Sequence, residues 1–582
     1  MAGEAGETPA LTRNRRAGAP ATTRPDHTLS WKAVGGDPGI HLEPLPLSSG
    51  KETMLRSVRR ATALVAVPAL TALVLVATPT AATAAEPSPS GSASTWLTGQ
   101  LTGGEIVGEF GPDYGLSIDT AVALAAVGGH QSDVVAVRDA LAAHVESYTT
   151  GDAFGDVDSQ YAGATAKAMW FARLSGGNPH AFGGVDLQTQ LESLVTTTGP
   201  STGRIVDQSS YGDYANALGQ IFAARGLAQG SSPLAADVRS FLLKQQCAAG
   251  FFRLSFTESA GAADQTCDGG TATESAPDTD VTALFVIALH DDAAVAAPVA
   301  AATAWLKQQQ LGDGSFGGGP STEAPNANST GLAGWALGEV GDTAGAKKAA
   351  VWVKAHQVVN AGACAQYAAA DTGSIAYDDA ALTALVTKPI APATRDKARR
   401  ATAQAIPVLK WAPAGTGTNV LFTSEYVRAG TTPSVGVTGA APGDALCATT
   451  PDGQKLAATA NAAGEAQFPI KLGTRTSTTV VTVANAAGVV DTATIKALGA
   501  KKLGITTKAK VRKGKTVKVL VRGLAPAESV VVKVGGKKKA GQANGKGRFV
   551  AKVKATKRGK TKVVVRGEFA NRKGTKTIRV VR

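Results

Sequence analysis

The hydrophobic pattern between residues 94 and 412 repeats roughly every 45–65 residues, and it predicts helices of two kinds. The first kind is amphipathic and combines an aromatic residue, an aliphatic residue and a glutamine. Because an amphipathic helix buries only one face, we expect this set to form an outer layer. Its clear copies are Trp96-Leu97 with Gln100, Phe241-Leu242 with Gln245, Trp305-Leu306 with Gln308, and Trp352-Val353 with Gln357; weaker copies run over 134–148, 187–195 and 398–411.

The second kind of helix is almost wholly apolar and rich in small residues, which predicts burial on all sides. Six such helices alternating with amphipathic ones predict a ring of inner helices inside a ring of outer helices. The expected fold is an all-α (α/α)6 toroid over residues 94–412, followed by a linker at 413–430. The six inner helices are expected to begin near Asp119, Ala164, Tyr214, Asp280, Ser329 and Asp379.

After Thr431 the pattern changes to short runs rich in Val and Thr, separated by Gly, Pro and Asn, which predicts β-strands. Two copies are visible, because the segment 437–444 matches 521–528, and 461–468 matches 544–549. The expected architecture is multidomain, with the toroid followed by two small all-β sandwiches at 431–500 and 501–582. Both sandwiches resemble immunoglobulin-like modules.

Charge separates the second of these β domains from the rest of the chain. The net charge of the whole chain is +14, but residues 501–582 hold 27 Lys and Arg against only Glu528 and Glu568. Where bases alternate with apolar residues, period two places valine inward and lysine outward. A surface that is merely soluble needs mixed charge, so this excess predicts an anionic partner. The expected polyanion-binding residues are Lys515, Lys518, Lys537, Lys538, Lys539, Lys552 and Lys554.

The segment 54–85 has the features of a secretory signal peptide. Met54 precedes a basic stretch, an apolar run from Ala61 to Ala77 follows, and small residues end at Ala85. Residues 1–53 are polar and lack periodicity, so we expect a disordered, mis-assigned extension there, and a flexible leader at 86–93. The sequence thus predicts a secreted protein without a membrane span after cleavage. Its anionic partner is then expected to be a cell-wall polymer such as teichoic acid, and its location the cell wall.

The four cysteines fit an exported protein, in which disulfides are permitted. Cys247 and Cys267 bracket a loop between two predicted helices and are expected to form a disulfide. Cys364 and Cys447 either pair across a domain boundary or stay free, because spacing alone does not decide between the two.

Two motifs give the helical region a family resemblance. Trp305-Leu306-Lys307-Gln308-Gln309 followed by Gly314-Ser315-Phe316-Gly317 resembles the repeat of squalene-hopene cyclases and protein prenyltransferases. The segments 117–121 and 326–330 are similar to the inner-helix starts of that superfamily. The resemblance, to the prenyltransferase/squalene oxidase (terpenoid cyclase) repeat superfamily, implies an α/α toroid. Cobalamin carriers share this fold, which implies a small-molecule ligand in the toroid as one option.

One segment resembles a catalytic motif of this superfamily. Asp278-Thr279-Asp280-Val281 is similar to the DxDD motif of class II terpene cyclases, and Asp280 stands where their acid protonates an alkene. Val281 departs from the pattern, since those cyclases have another Asp there. A second interpretation is that acids near inner-helix starts cap free N–H groups at the mouth of the toroid. The residues expected at this mouth are Asp119, Asp213, Asp278, Asp280, Asn328, Asp378 and Asp379.

Metal and cofactor motifs are weak, and we predict no metal and no cofactor. Asp264, Cys267 and Asp268 lie close together, but Cys267 is better used in the disulfide, and His290 is interpreted as a helix-end residue. Specific nucleic-acid binding is not expected, because the basic domain lacks interleaved aromatics for base stacking. The sequence favours a secreted, non-catalytic ligand- or surface-binding protein. The alternatives are an isoprenoid-processing enzyme using Asp280 and a corrinoid-binding protein.

Overall fold

The computed structural model describes residues 88–582. The predicted extension 1–53 and the signal peptide 54–85 lie outside the described residues, as do the first two residues of the predicted leader 86–93. The rest of that leader is not an extended linker, because a helix begins at Pro89. Ser88 caps this helix by accepting a hydrogen bond from the Gly91 amide, and proline at the first helical position favours the start.

A helical part extends from Pro89 to Trp411, where a 3₁₀ helix, Ile406–Trp411, ends it. Its fourteen α-helices are α1 Pro89–Thr98, α2 Tyr114–Val127, α3 Gln131–Ala143, α4 Val145–Thr149, α5 Ala162–Leu174, α6 Leu187–Ser193, α7 Ala217–Gln229, α8 Ala235–Lys244, α9 Thr279–Leu289, α10 Ala296–Gln309, α11 Ala327–Glu339, α12 Thr343–Ala355, α13 Asp379–Ala384 and α14 Pro392–Ala405. None of the helices in residues 88–582 is long and apolar enough to cross a membrane.

Helix contacts in this part follow a closed circuit. Helix α2 contacts α5, and the circuit continues through α7, α9, α11 and α14 back to α2. Helices α1, α3, α6, α8, α10 and α12 lie outside this circuit and expose one face each, as the amphipathic pattern predicts. We call the six helices of the circuit the inner helices.

The sixth inner helix is not the one that the sequence predicts. Helix α13, which begins at Asp379, is only six residues long and contains no fully buried residue. The sixth position belongs to α14, whose residues 401–405 are buried and which contacts both α11 and α2. The segment 398–411 was predicted as an outer helix because it is a weaker copy of the pattern with an aromatic residue, an aliphatic residue and a glutamine. In this segment Arg400 pairs with Asp113, and Arg399 donates to polar groups near α2, as described below.

Neighbouring inner helices pack with their backbones close together. A side chain at Gly219 of α7 would lie 2.9 Å from the Gly163 Cα of α5, and one at Gly331 of α11 would lie 2.5 Å from the Ala405 Cα. Every residue of α9 is at most 5% exposed, on all of its faces. The small residues therefore let neighbouring helices touch, and the apolar side chains of α9 face protein in every direction.

The β-rich part begins at Asn419, inside the segment predicted as a linker. Five short strands of the helical part precede it: β1 Leu101–Thr102, β2 Glu105–Gly108, β3 Gly111–Pro112, β4 Phe252–Arg253 and β5 Pro277–Asp278. The first β domain contains β6 Asn419–Leu421, β7 Val427–Arg428, β8 Ser434–Thr438, β9 Ala445–Thr449, β10 Lys455–Thr459, β11 Ala466–Pro469, β12 Ser477–Asn485 and β13 Gly488–Leu498. The second contains β14 Lys501–Lys502, β15 Gly504–Thr506, β16 Lys510–Arg512, β17 Thr516–Arg522, β18 Ser529–Val534, β19 Lys537–Gln542, β20 Arg548–Lys554, β21 Gly559–Arg566 and β22 Arg572–Val581.

Each β domain consists of two sheets around its own apolar core. In the first domain the strand orders are β10-β9-β12-β13-β7 and β11-β8-β6. In the second they are β14-β22-β21-β18-β19, with β16 also pairing with β22, and β15-β17-β20. The prediction of a helical region followed by a β-rich region is confirmed.

The two β domains repeat the same turn, which explains the repeat in the sequence. The Asn461 side chain accepts hydrogen bonds from the amides of Ala463 and Glu465. The Asn544 side chain does the same for Lys546 and Arg548.

A disulfide and an ion pair connect the helical part to the first β domain. Cys247 pairs with Cys267 as predicted, and Cys364 pairs with Cys447 of β9, which decides between the two options left by the sequence. Nearby, Lys354 Nζ of α12 lies 2.5 Å from Asp444 Oδ1, and both side chains are nearly buried. The disulfide and the ion pair thus join the region around α12 of the helical part to the first β domain.

Candidate functional site

The N-terminal ends of the inner helices were the first candidate site, and most of their capping residues differ from those expected. Asp113 caps α2, Asn216 caps α7, Asp278 caps α9 and Asn326 caps α11, each through a side-chain oxygen that accepts backbone N–H groups. Of the expected mouth residues only Asp278 caps an inner helix. The caps of the inner helices therefore explain one acid of that set.

The other expected mouth residues occupy several environments. Asp213 lies before α7 and binds Arg204 at 2.6 Å, while Asn328 is the second residue of α11. Asp378 caps α13, which is not an inner helix, and the adjacent Asp379 is exposed and lies 3.1 Å from His356 Nε2. Asp280 and Asp378 both act on the pKa of Tyr377, so these two acids lie near each other.

Asp280 lies in the first turn of α9 and is 5% exposed. The pKa of Tyr377 is raised by burial and then by the negative charge of Asp280. The Lys397 ammonium lies 4.0 Å from the centre of the Tyr377 ring, so a cation of the protein already covers that aromatic face. Asp280 and the other residues of α9 are thus enclosed by protein on every face of the helix.

A buried ion pair between two inner helices went unrecognised in the sequence. Lys167 of α5 contacts Asp119 of α2, and the two side chains are 2% and 1% exposed. Lys167 Nζ also donates to the Gly115 carbonyl at 3.1 Å. Burial raises the pKa of Asp119 to about 6, although the Lys167 charge opposes the shift. Asp119 is therefore an internal structural charge and not part of a helix end.

Helix α14, which the sequence predicts as an outer helix, places two arginines beside α2. Arg400 Nη2 lies 2.5 Å from Asp113 Oδ2, at the cap of α2. Arg399 is 5% exposed and donates to the Gln100 side chain and the Val107 carbonyl. These cations close the ring by pairing with α2 and its surroundings, so they are engaged within the protein.

The weak metal candidates have structural partners. Cys267 is in a disulfide, Asp268 accepts from the Ala248 amide, and His290 Nδ1 lies 3.2 Å from the Ile287 carbonyl. Within residues 88–582 no group of three or more His, Cys, Asp or Glu side chains is arranged to hold a metal ion.

The surface of the second β domain is the second candidate site. Of its 27 Lys and Arg residues only Arg572 is buried, where it forms a two-pronged ion pair with Glu528 at 2.6 Å. Glu568 is thus the one exposed acid of residues 501–582. The seven lysines predicted to bind polyanions are all exposed, on β17, β19, β20 and the turn before β17.

The strand registers place bases directly opposite bases on the outer faces of both sheets. Like charges in directly opposed positions destabilise a sheet, so this arrangement works against folding. The first β domain has neutral or mixed pairs at matching positions, so the sheet architecture does not require these cations. The opposed pairs are Lys518–Lys552, Arg522–Arg548, Lys533–Lys538, Lys560–Arg579 and Arg566–Lys573 between antiparallel strands, and Lys502–Lys573 and Lys510–Arg579 between parallel strands.

Beside one of these pairs is an open cleft of about 390 Å³, at the turn between β18 and β19. Gly535 and Gly536 form this turn with φ of 54° and 92°, values that suit a two-residue turn with glycine at both positions. We call it the sheet-edge cleft. It is lined by Lys533, Gly535, Gly536, Lys557, Arg558, Lys560, Thr561, Lys562 and Val564. The strand register and the positions of the loops bring these cations together, so the sequence pattern alone did not reveal the cluster.

Comparisons with known proteins are limited to solved structures. No family model matches the sequence, and no curated protein matches it. A protein from Actinoplanes is 15% identical, with a TM-score of 0.37, over 56% of this chain and 98% of that chain. The type II terpene cyclase MstE from Scytonema is 12% identical, with a TM-score of 0.37, over 56% and 98%. The Yersinia pseudotuberculosis adhesin InvE is 16% identical, with a TM-score of 0.16, over 28% and 58%. Similarities at this level do not assign a function.

Proposed function

We propose that this chain is an exported, non-catalytic binding protein whose second β domain attaches it to anionic polymers of the cell surface. The observation that carries the proposal is the set of seven opposed pairs of basic residues on the outer faces of that domain. Such pairs cost stability unless an anion neutralises them, and a polyanion gains affinity from every cation it meets. A cell-wall polymer of the teichoic acid class is the partner that we infer.

The helical part is then a scaffold that is presented at the surface. We infer that it is a toroid of the terpenoid cyclase and prenyltransferase type, and that the β domains are immunoglobulin-like; the motif at 305–317 and the two-sheet architecture support these assignments. A catalytic role for Asp280 is disfavoured because α9 has no exposed face. The same packing gives a corrinoid or an isoprenoid no space beside that helix.

Export is the compartment that fits the cysteine chemistry. All four cysteines of residues 88–582 are in disulfides, and one disulfide joins two domains. Disulfides persist in oxidising environments and are rare in the cytosol. The cell-wall location follows from the proposed tether.

The proposal is tested by deleting residues 501–582 and measuring binding to purified cell walls. The full chain is expected to sediment with the walls at 100 mM salt, and the deletion variant to stay in the supernatant. Every tryptophan of residues 88–582 lies in the helical part, so an unchanged fluorescence spectrum controls for damage there. Walls stripped of phosphate polymers serve as the second control. Equal retention of both proteins would exclude the tether.

A further inference from the structure

We propose that the sheet-edge cleft is a binding site for a phosphate group of a linear polymer, and that a row of cations next to the cleft binds the following repeats of the same polymer. The inference rests on the proposed attachment function and gives it a place and a ligand class. The cleft is enclosed by five cations and no acid: Lys533, Lys557, Arg558, Lys560 and Lys562. A net positive concavity of this kind concentrates anions more than a flat surface does.

The cations of the cleft are available to a ligand. Each of the five is exposed, and among residues 501–582 the ion pair between Arg572 and Glu528 is the one that the structure records. The glycine turn at 535–536 contributes no side chain, so it leaves one side of the cleft open. An anion in this place therefore does not have to displace an internal partner.

A row of cations continues from the cleft across the sheet. Lys560 of β21 lies opposite Arg579 of β22, and Arg579 lies opposite Lys510 of β16. Neighbouring strands are about 4.8 Å apart, so this row presents positive charges at that spacing. A linear polyanion that enters the cleft and crosses the sheet meets these charges in succession, whereas a single phosphate ion uses the cleft alone.

The first β domain is an internal control for the fold. Its pair Val483–Ala448 matches Val565–Val532 of the second domain, and this correspondence fixes the matching positions. There the Lys560–Arg579 pair is replaced by Thr478–Lys496, and the Lys533–Lys538 pair by Thr449–Lys455. The turn in place of Gly535-Gly536 carries the acid Asp452. The same architecture thus folds without the cleft, so the cations are not a requirement of the sheet.

The lysines of the cleft suit a phosphate ligand, and the lack of Trp and Tyr in the domain disfavours single-stranded nucleic acids. Four of the five cations are lysines, which bind phosphate as point charges. The domain has no Trp or Tyr, and its two phenylalanines, Phe549 and Phe569, do not line the cleft. Single-stranded nucleic acids need such aromatics for base stacking. A phosphate-linked wall polymer is therefore the class that we infer.

Two triple variants with equal charge loss test the site in the full chain. K557Q/R558Q/K560Q removes three cations of the cleft, and K518Q/R522Q/K552Q removes three exposed cations from the other sheet. The probe is purified polyglycerol phosphate at 100 mM salt, measured by calorimetry. We expect the cleft variant to bind about 30-fold more weakly than the unaltered chain and the control about threefold, because charge-assisted contacts to one group exceed diffuse attraction.

Each other outcome overturns a defined part. Equal losses in the two variants would overturn the cleft but leave the tether, whereas an unaltered chain that ignores the polymer would overturn both. Polygalacturonate binding as tightly as polyglycerol phosphate would overturn the ligand class. Far-UV circular dichroism of both variants checks that the sheets remain folded.

Discussion

Replacing Lys167 with methionine tests whether the buried ion pair between α2 and α5 carries two real charges. The substitution keeps an unbranched side chain of similar length but leaves Asp119 without its cation. Breaking a buried pair by removing one partner costs about 3–5 kcal/mol, because a charge remains buried without compensation. Both side chains are at most 2% exposed, so this range applies without discount for solvent.

The pH dependence of that loss follows from the pKa of Asp119. Burial raises this pKa from its ordinary value of 3.8 to about 6, so the folded state holds the proton more tightly than the unfolded chain. Stability from this group is therefore full below about pH 4 and is lost as the pH rises through 6, by about 3 kcal/mol in total. Without Lys167 the pKa rises further. The variant should thus be destabilised by about 3–5 kcal/mol at pH 7.5 and by much less at pH 4.5.

Urea unfolding followed by tryptophan fluorescence measures these differences, since every tryptophan of residues 88–582 lies in the helical part. The double variant D119L/K167M is the matched control, because an apolar pair in place of a buried ion pair is often neutral or stabilising. It should lie within about 1 kcal/mol of the unaltered chain at both pH values. A K167M loss that is below 1 kcal/mol, or equal at the two pH values, would refute a charged buried pair.

Two further predictions concern the β domains. Ala527 has φ of 58°, where the matching position of the first domain is Gly443, so Ala527→Gly should stabilise the second domain by about 0.5–1 kcal/mol. A thermal melt followed by circular dichroism measures this, and Ala540→Gly, in a strand, should destabilise instead; the opposite order would contradict the strain. Removing the Cys364–Cys447 disulfide as C364S/C447S should cost about 4.5 kcal/mol, because it closes 83 residues. Urea unfolding measures that loss. The control C247S/C267S should cost about 3 kcal/mol, because its two cysteines are separated by only 20 residues. Equal losses in the two variants would argue against the loop-length explanation.

Hydrophobic periodicity was sufficient to predict five of the six inner helices, because an apolar run with small residues has one stable environment in this fold. It failed at α14, whose charged residues around Arg399 and Arg400 lower its apolar character. Only the contact with Asp113 shows why those charges are tolerated inside the ring. A single lysine in an apolar helix, such as Lys167, likewise carries no information about the acid on another helix that it meets.

In the β domains, composition predicted the charge but not its arrangement. Alternation showed that lysines of β17 and β20 point outward, yet which base lies opposite which depends on strand register. The cleft requires the turn at Gly535 and the loop at Lys557 to meet, and they are more than twenty residues apart in the chain. The Cys364–Cys447 pairing likewise could not be predicted from the sequence, because it depends on how two domains are joined.

The most direct test of the central claim is the salt dependence of polymer binding by the full chain. Affinity for polyglycerol phosphate should be measured between 50 and 300 mM sodium chloride, with the chain lacking residues 501–582 beside it. If about six cations contact the polymer, the logarithm of affinity should fall with the logarithm of salt at a slope near −4, and the shortened chain should not bind. A slope near zero, or the same slope in the shortened chain, would contradict attachment through the second β domain.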